Sequence, residues 1–197
     1  MQTTIRILTS LAVLFSLSGS RLAQEAKTAS PKTNESASID AYVKQVDGFR
    51  KRNDERRRLF GNVGNEQDDW REFKGKVAKG QTQPEDLNEA AYVWTRRGKI
   101  LAVGFEFQSD SRDWGHFVTH YFRENGTLAK IHARLNTFYG DVTRIRDQYY
   151  SSNGKLLRTI TRYRDIQTQK PKKQPNFQDE PIPIYLSVRR LPFYKLL

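Results

Sequence analysis

Trp94-Thr95-Arg96-Arg97-Gly98-Lys99-Ile100, Phe122-Arg123-Glu124-Asn125-Gly126-Thr127-Leu128 and Tyr150-Ser151-Ser152-Asn153-Gly154-Lys155-Leu156 stand in strict register. Their glycines fall 28 residues apart, each with an aromatic residue four positions before it and Ile or Leu two positions after. Asn-Gly between apolar runs is a strong short-range hairpin signal, because a type I′ turn needs positive φ at both central residues. Arg97-Gly98 is a weaker third instance. Two-residue turns would pair Trp94 with Leu101, Phe122 with Ala129 and Tyr150 with Leu157. Carrying this register through the longer loops near 108–116 and 137–142 predicts six strands, about 91–96, 100–107, 117–124, 127–135, 143–151 and 155–164.

Side chains alternate faces along a strand, so the register sorts them. One face receives Trp94, Leu101, Phe122, Ala129, Tyr150 and Leu157, with Tyr92, Val103, His120, Ile131, Gln148 and Thr159 beside them, and reads as the main core. It thins at the last hairpin, where Arg144, Arg146 and Thr161 fall, so that end is expected at a sheet edge or against something wet. The opposite face carries the row Val93, Ala102, Tyr121, Lys130, Tyr149, Arg158 and a second row with Phe117, Arg134, Ile145 and Arg162. Aromatic and cationic side chains alternate there. Strands two apart lie about 10 Å from each other, so Lys130 with Arg158, and Arg134 with Arg162, are spaced to hold successive anionic groups, while Tyr121 and Tyr149 offer stacking surfaces. The same cross-strand pairs also support a sheet by roughly 0.2–1 kcal/mol each with no ligand at all. Ala91, Ala102 and Gly104 on this face leave room for another segment, the N-terminal helix being the candidate.

Charge points the same way. Lys and Arg number 34 against 22 Asp and Glu, a formal net charge of +12, and a protein this basic is drawn to polyanions. The chain opens with Arg6, the apolar run from Ile7 to Leu17, then Ser18-Gly19-Ser20 and Ala23, the pattern of a cleaved secretory signal over residues 1–23. A secreted or periplasmic location is therefore expected. No second apolar run of about 18 residues follows, so no transmembrane segment is expected after cleavage. Cysteine is absent, which removes disulfides and thiolate chemistry and leaves the domain to stand on its own core.

Residues 24–37, rich in Ala, Ser, Thr and Lys without apolar periodicity, read as a disordered tether. The spacing of Ile39, Tyr42, Val43, Val46 and Phe49 behind Ser38 predicts an amphipathic helix over 38–60. Residues 62–90 read as an irregular connection anchored by Trp70 and Phe73. Residues 167–183 read as an extended exposed arm, and 184–197 as a docking segment, with a strand at 184–188 and Phe193-Tyr194 as its anchor.

Catalytic signals are sparse. His116 and His120 are four apart, which on a strand is about 13 Å and too far to share a metal; His120 falls among apolar neighbours. His132 falls opposite Asp147, and an imidazole–carboxylate pair can orient a general base. No serine, cysteine or second carboxylate is placed to complete a site; Asp110, Asp113, Asp141 and Trp114 are candidates to line a rim pocket, although Asp and Gly clusters of this kind are more often turn chemistry. No catalytic residue, metal ligand or cofactor is therefore assigned, and no specific nucleic-acid motif is found.

The turn pattern aromatic-x-x-Asn-Gly-x-Leu resembles short hairpin-repeat families of exported and cell-surface proteins. The resemblance spans the three turns, the period here is longer, and it implies no function.

The expected fold is α+β: the N-terminal helix packed on a twisted antiparallel meander of six to seven strands, built from three 28-residue hairpin repeats in a single domain over 38–197. The leading functional expectation is an exported, non-catalytic binding module. Its anionic partner would be a polysaccharide, a lipid headgroup or a nucleic acid, held by Tyr121, Lys130, Tyr149, Arg158, Arg134, Arg162 and His132. The alternatives are a hydrolase with a His/Asp site in a half-barrel cavity and an envelope structural or assembly protein.

Overall fold

A computed structural model describes residues 31–64, 68–74, 87, 89–175 and 181–197. Among these, a single antiparallel sheet carries one α-helix on one face and the C-terminal segment on the other. The strands are β1 (Arg58–Asn62), β2 (Trp70–Phe73), β3 (Glu89–Arg96), β4 (Lys99–Gln108), β5 (Trp114–Phe122), β6 (Leu128–Thr137), β7 (Val142–Tyr150) and β8 (Leu156–Asp165). Their order is β2-β1-β3-β4-β5-β6-β7-β8, so from β3 onward each strand pairs with its neighbour in sequence.

Eight strands replace the expected six to seven because β1 and β2 come from residues read as helix end and irregular connection. Leu59 and Phe60 explain β1: both are buried, Leu59 against the helix-side core and Phe60 in the opposite one. Only a strand sends consecutive side chains to opposite faces.

The helix α1 (Pro31–Arg52) is shifted from the expected 38–60 and takes in residues 31–37 of the expected tether. Proline suits a first helical turn, where its missing N–H would have no partner anyway. The helix stops because Asn53 folds back: its backbone N–H and its side-chain Nδ2 both donate to the Phe49 carbonyl, at 3.1 and 2.9 Å. A 3-10 turn, Asp54–Arg56, then leads into β1. Ile39, Val43 and Val46 form the buried stripe, packed with Tyr92, Trp94, Leu101, Ala102, Tyr121 and Tyr149. The expected signal over 1–23 and residues 24–30 of the expected tether lie outside the described residues.

The turns differ in type from the expectation, and the difference decides the face contents. Arg97 and Gly98 both have positive φ, 52° and 73°, so the weakest turn signal forms the two-residue loop. At the Asn-Gly turns only the glycines do, Gly126 at 80° and Gly154 at 83°. There the Gly126 N–H donates to the Arg123 carbonyl at 2.8 Å and the Gly154 N–H to Ser151 at 3.0 Å, the pattern of a three-residue loop built on a type I turn. Asn125 Oδ1 accepts from the Thr127 backbone N–H at 3.1 Å, the local bond that favours this form.

Each hairpin also carries a bulge, at Leu101, Ala129 and Leu157. In the second and third hairpins the bulge compensates the odd loop residue, so Tyr121 pairs with Lys130 and Tyr149 with Arg158 as expected. In the first hairpin nothing compensates it. Trp94 pairs with Ala102 instead of Leu101, and a one-residue slip turns every side chain of a strand over. Tyr92 and Trp94 therefore lie on the helix side, while Ala91 and Val93 lie on the other, away from Ala102.

The opposite core joins Phe60, Val103, Phe105, Val118, Phe122 and Ile131 to Leu191 and Phe193. Phe193 stacks on Phe60 with ring centroids 4.6 Å apart. The expected strand at 184–188 is reduced to an isolated bridge, Thr127 with Ser187, flanked by Leu128 N–H to Leu186 O at 2.9 Å and Val188 N–H to Gly126 O at 3.0 Å. Tyr194 is 41% exposed, leaving Phe193 as the anchor. Of the arm, residues 176–180 lie outside the described residues, and Pro171 bridges to Arg164 on the outer edge of β8. The last hairpin does form a sheet edge, with β8 the terminal strand, but its Arg144 is not wet: it is 0% exposed. Among the described residues no helix is long and apolar enough to cross a membrane.

Candidate functional site on the helix side of the sheet

Cross-strand pairing assembles three lateral rows on the helix side. The first, Trp94–Ala102–Tyr121–Lys130–Tyr149–Arg158, runs beneath α1. Its polar tips hold the helix. Asp40 accepts from Lys130 Nζ at 2.9 Å and from the Tyr149 hydroxyl at 3.0 Å. Asp47 accepts from the Tyr121 hydroxyl at 2.8 Å, and Arg50 lies 4.3 Å from the centre of the Trp94 ring. Tyr121, Lys130 and Tyr149, three of the seven expected ligand residues, are thus buried under α1, while Arg158 on β8 is exposed.

The other two rows lie beyond the helix and keep the remaining residues together. One is Gly104–Thr119–His132–Asp147–Ile160; the other is Glu106–Phe117–Arg134–Ile145–Arg162. Phe117 is 39% exposed, and Arg134 and Arg162 are exposed. Arg134 Nε donates to Asn136 Oδ1 at 3.1 Å, which orients its guanidinium along β6.

Asp147 is the buried centre of this half-face. Its Oδ1 lies 2.8 Å from His132 Nδ1 and 3.4 Å from Lys130 Nζ, and its Oδ2 accepts from Arg162 at 2.6 Å. Burial raises its pKa, but the His132 hydrogen bond and the Lys130 and Arg162 charges outweigh burial and hold the carboxyl below its usual value. Lys130 is balanced likewise. Burial works against its charge, yet hydrogen bonds to Tyr149 and Asp40 and the Asp147 carboxylate raise its pKa. Both groups stay ionised at neutral pH.

Thr119 has no signal in the local sequence, yet the register that pairs His132 with Asp147 sets Thr119 on the other side of His132. A hydroxyl, an imidazole and a carboxylate therefore stand on three adjacent strands, with no hydrogen bond joining Thr119 to His132. His116 and His120 lie on the opposite face. Both are buried, and their pKa values are pushed down to about 4, His120 by burial and His116 by burial with Arg144 and Arg146 nearby. His120 Nε2 is 2.9 Å from the Pro183 carbonyl, so it ties the C-terminal segment to the sheet. Among the described residues no group of three His, Cys, Asp or Glu is placed to hold a metal.

On this half-face Arg134 and Arg158 are exposed, while Arg162 and His132 are both engaged by the Asp147 carboxylate. No protein-family model matches the chain, and no curated protein and no solved structure matches it significantly.

Proposed function

We propose that the protein is an exported, non-catalytic binding module that takes an anionic partner on the half of the helix-side face that α1 leaves open. One observation carries the reading: Arg134, Arg158 and Arg162 are exposed on one face of β6 and β8, with the Asp147 carboxylate buried beneath them. Arg134 and Arg162 are two strands apart, about 10 Å, with Ile145 between them and the ring of Phe117 alongside. Such a ladder suits a linear polyanion, an acidic polysaccharide above all, and a lipid headgroup or nucleic acid offers the same charges. The basic balance of the chain and the leader-like residues 1–23 favour an exported protein with this partner. On this reading the three hairpins are one 28-residue unit used three times, which is why Arg134 and Arg162, and likewise Lys130 and Arg158, recur at that spacing. Charge reversal at Arg134 and Arg162 together should lower the salt at which the protein leaves a sulfated-polysaccharide column. Unchanged elution from a folded double variant would reject the proposal.

A second reading has its own observation in the 2.8 Å contact of His132 with Asp147. An oriented imidazole can act as general base, and Thr119 supplies a neighbouring hydroxyl, which makes a hydrolase the alternative. Replacing His132 by Gln separates the two readings: hydrolysis of ester or phosphoester substrates would disappear, whereas polyanion retention would fall only slightly.

A further inference from the structure

We infer that a second site, for a compact oxyanion of the phosphate or sulfate class, lies at the C-terminal end of α1, in a cavity of about 200 Å³ whose walls include Phe49, Asn53, Arg56, Trp94, Arg96 and Arg97. It goes beyond the open half-face and does not depend on it: Trp94 and Arg96 are on β3, three strands from Arg134 on β6.

Three arginines line it from separate parts of the chain: Arg56 from the 3-10 turn, Arg96 from the end of β3, and Arg97 from the hairpin loop. No carboxylate lines the cavity. The ion-pair partner of Arg96 is Glu124 at 3.4 Å, a side chain 60% exposed. Arg56 and Arg97 have no side-chain hydrogen bond or ion pair among the described residues. Arg96 also lies 5.9 Å from the centre of the Phe49 ring, which limits its range.

Basic residues at a helix C-terminus complement the helix dipole with no ligand involved. That accounts for Arg50, Lys51 and Arg52 in the last turn. It does not account for Arg96 and Arg97, which belong to another element. The two-residue turn sets the backbone at Arg97, which holds φ 52°, a conformation that favours glycine or asparagine in this turn type. The cavity is smaller than the roughly 300–1,000 Å³ of pockets for drug-sized ligands, so it suits a single phosphate or sulfate group. Guanidinium groups bind such oxyanions through paired, charge-assisted hydrogen bonds.

The test titrates inorganic phosphate, and separately inorganic sulfate, into the full chain at constant ionic strength with chloride as background, following backbone amide shifts at Thr95, Arg97 and Gly98. Saturable shifts are expected, and the tighter of the two anions names the class. Arg97→Gly removes the guanidinium while relieving the backbone, so it should weaken binding about tenfold or more and raise the unfolding temperature. Arg134→Gln with Arg162→Gln should leave the constant unchanged, which keeps this site distinct from the polyanion face. Unsaturable shifts, undiminished binding by the Arg97→Gly protein, or equal weakening in the Arg134/Arg162 variant would each overturn the inference.

Discussion

Replacing Asp147 by Asn should make the protein less stable and, at the same time, better at holding a polyanion. The carboxylate is 6% exposed and compensates Lys130, itself 10% exposed, along with Arg162, which is 51% exposed. The amide still accepts from His132, so that bond is retained. Losing a hydrogen-bonded charge opposite the buried Lys130 costs about 1.5–3 kcal/mol, moderated because Asp40 continues to accept from Lys130. Losing the partner of the half-exposed Arg162 adds at most about 1 kcal/mol. The total is about 2–3 kcal/mol, which for a domain of this size lowers the unfolding temperature by roughly 4–12 °C. Urea unfolding at pH 7 measures it. A double-mutant cycle with Lys130→Met should return most of the coupling, and one with Arg162→Gln little. Because the folded pKa of Asp147 is lowered, its contribution is present above the unfolded value of about 4 and is lost as pH falls through the folded one. The difference between variant and parent should therefore close in acid. Meanwhile Arg162 is released and a negative charge leaves the arginine face, so elution from a polyanion column should move to higher salt. A destabilisation under about 0.5 kcal/mol refutes the network, and weaker retention refutes the face.

Two other outcomes test the parts that hold this site in place. His116 and His120 are neutral in the fold down to about pH 4, whereas unfolded histidines take up protons near pH 6.5. Stability should thus fall as pH drops between those values, at up to about 3 kcal/mol per pH unit for the pair. His120→Gln should halve that slope, and a flat profile from pH 7 to pH 5 would contradict the burial of both rings. Phe193→Ala removes a ring that is 1% exposed and stacked on Phe60, so urea unfolding should show a loss of about 3–5 kcal/mol. A loss below about 1 kcal/mol would mean the C-terminal segment is not docked in solution.

Much of the open half-face was legible in the sequence because strand alternation has a period of two and the glycines mark the turns. Those facts alone put His132 opposite Asp147 and Arg134 in line with Ile145 and Arg162. What was not legible depends on single residues that local patterns do not reveal. The bulge at Leu101 has no marker in composition, yet it sends Tyr92 and Trp94 to the helix side. The Asn-Gly turns carry the strongest signature for one loop type and adopt another, because Asn125 bonds its own chain two residues on. The stripe of α1 was readable from Ile39, Val43 and Val46. Its docking place was not, because Asp40 and Asp47 look like solvated helix charges until Lys130, Tyr149 and Tyr121 are found beneath them. Arg144 misled for a similar reason: an arginine on a strand suggests water, and this one is wholly enclosed.

The proposed polyanion face is tested most directly by where a polyanion touches the protein. When a sulfated oligosaccharide is titrated into the isotope-labelled chain, amide and side-chain shifts are expected at Phe117, His132, Arg134, Ile145, Arg158 and Arg162, weakening steeply as salt rises. Tyr185, Leu191 and Phe193 should stay silent. Shifts confined to the C-terminal side of the sheet, or none at low salt, would contradict it.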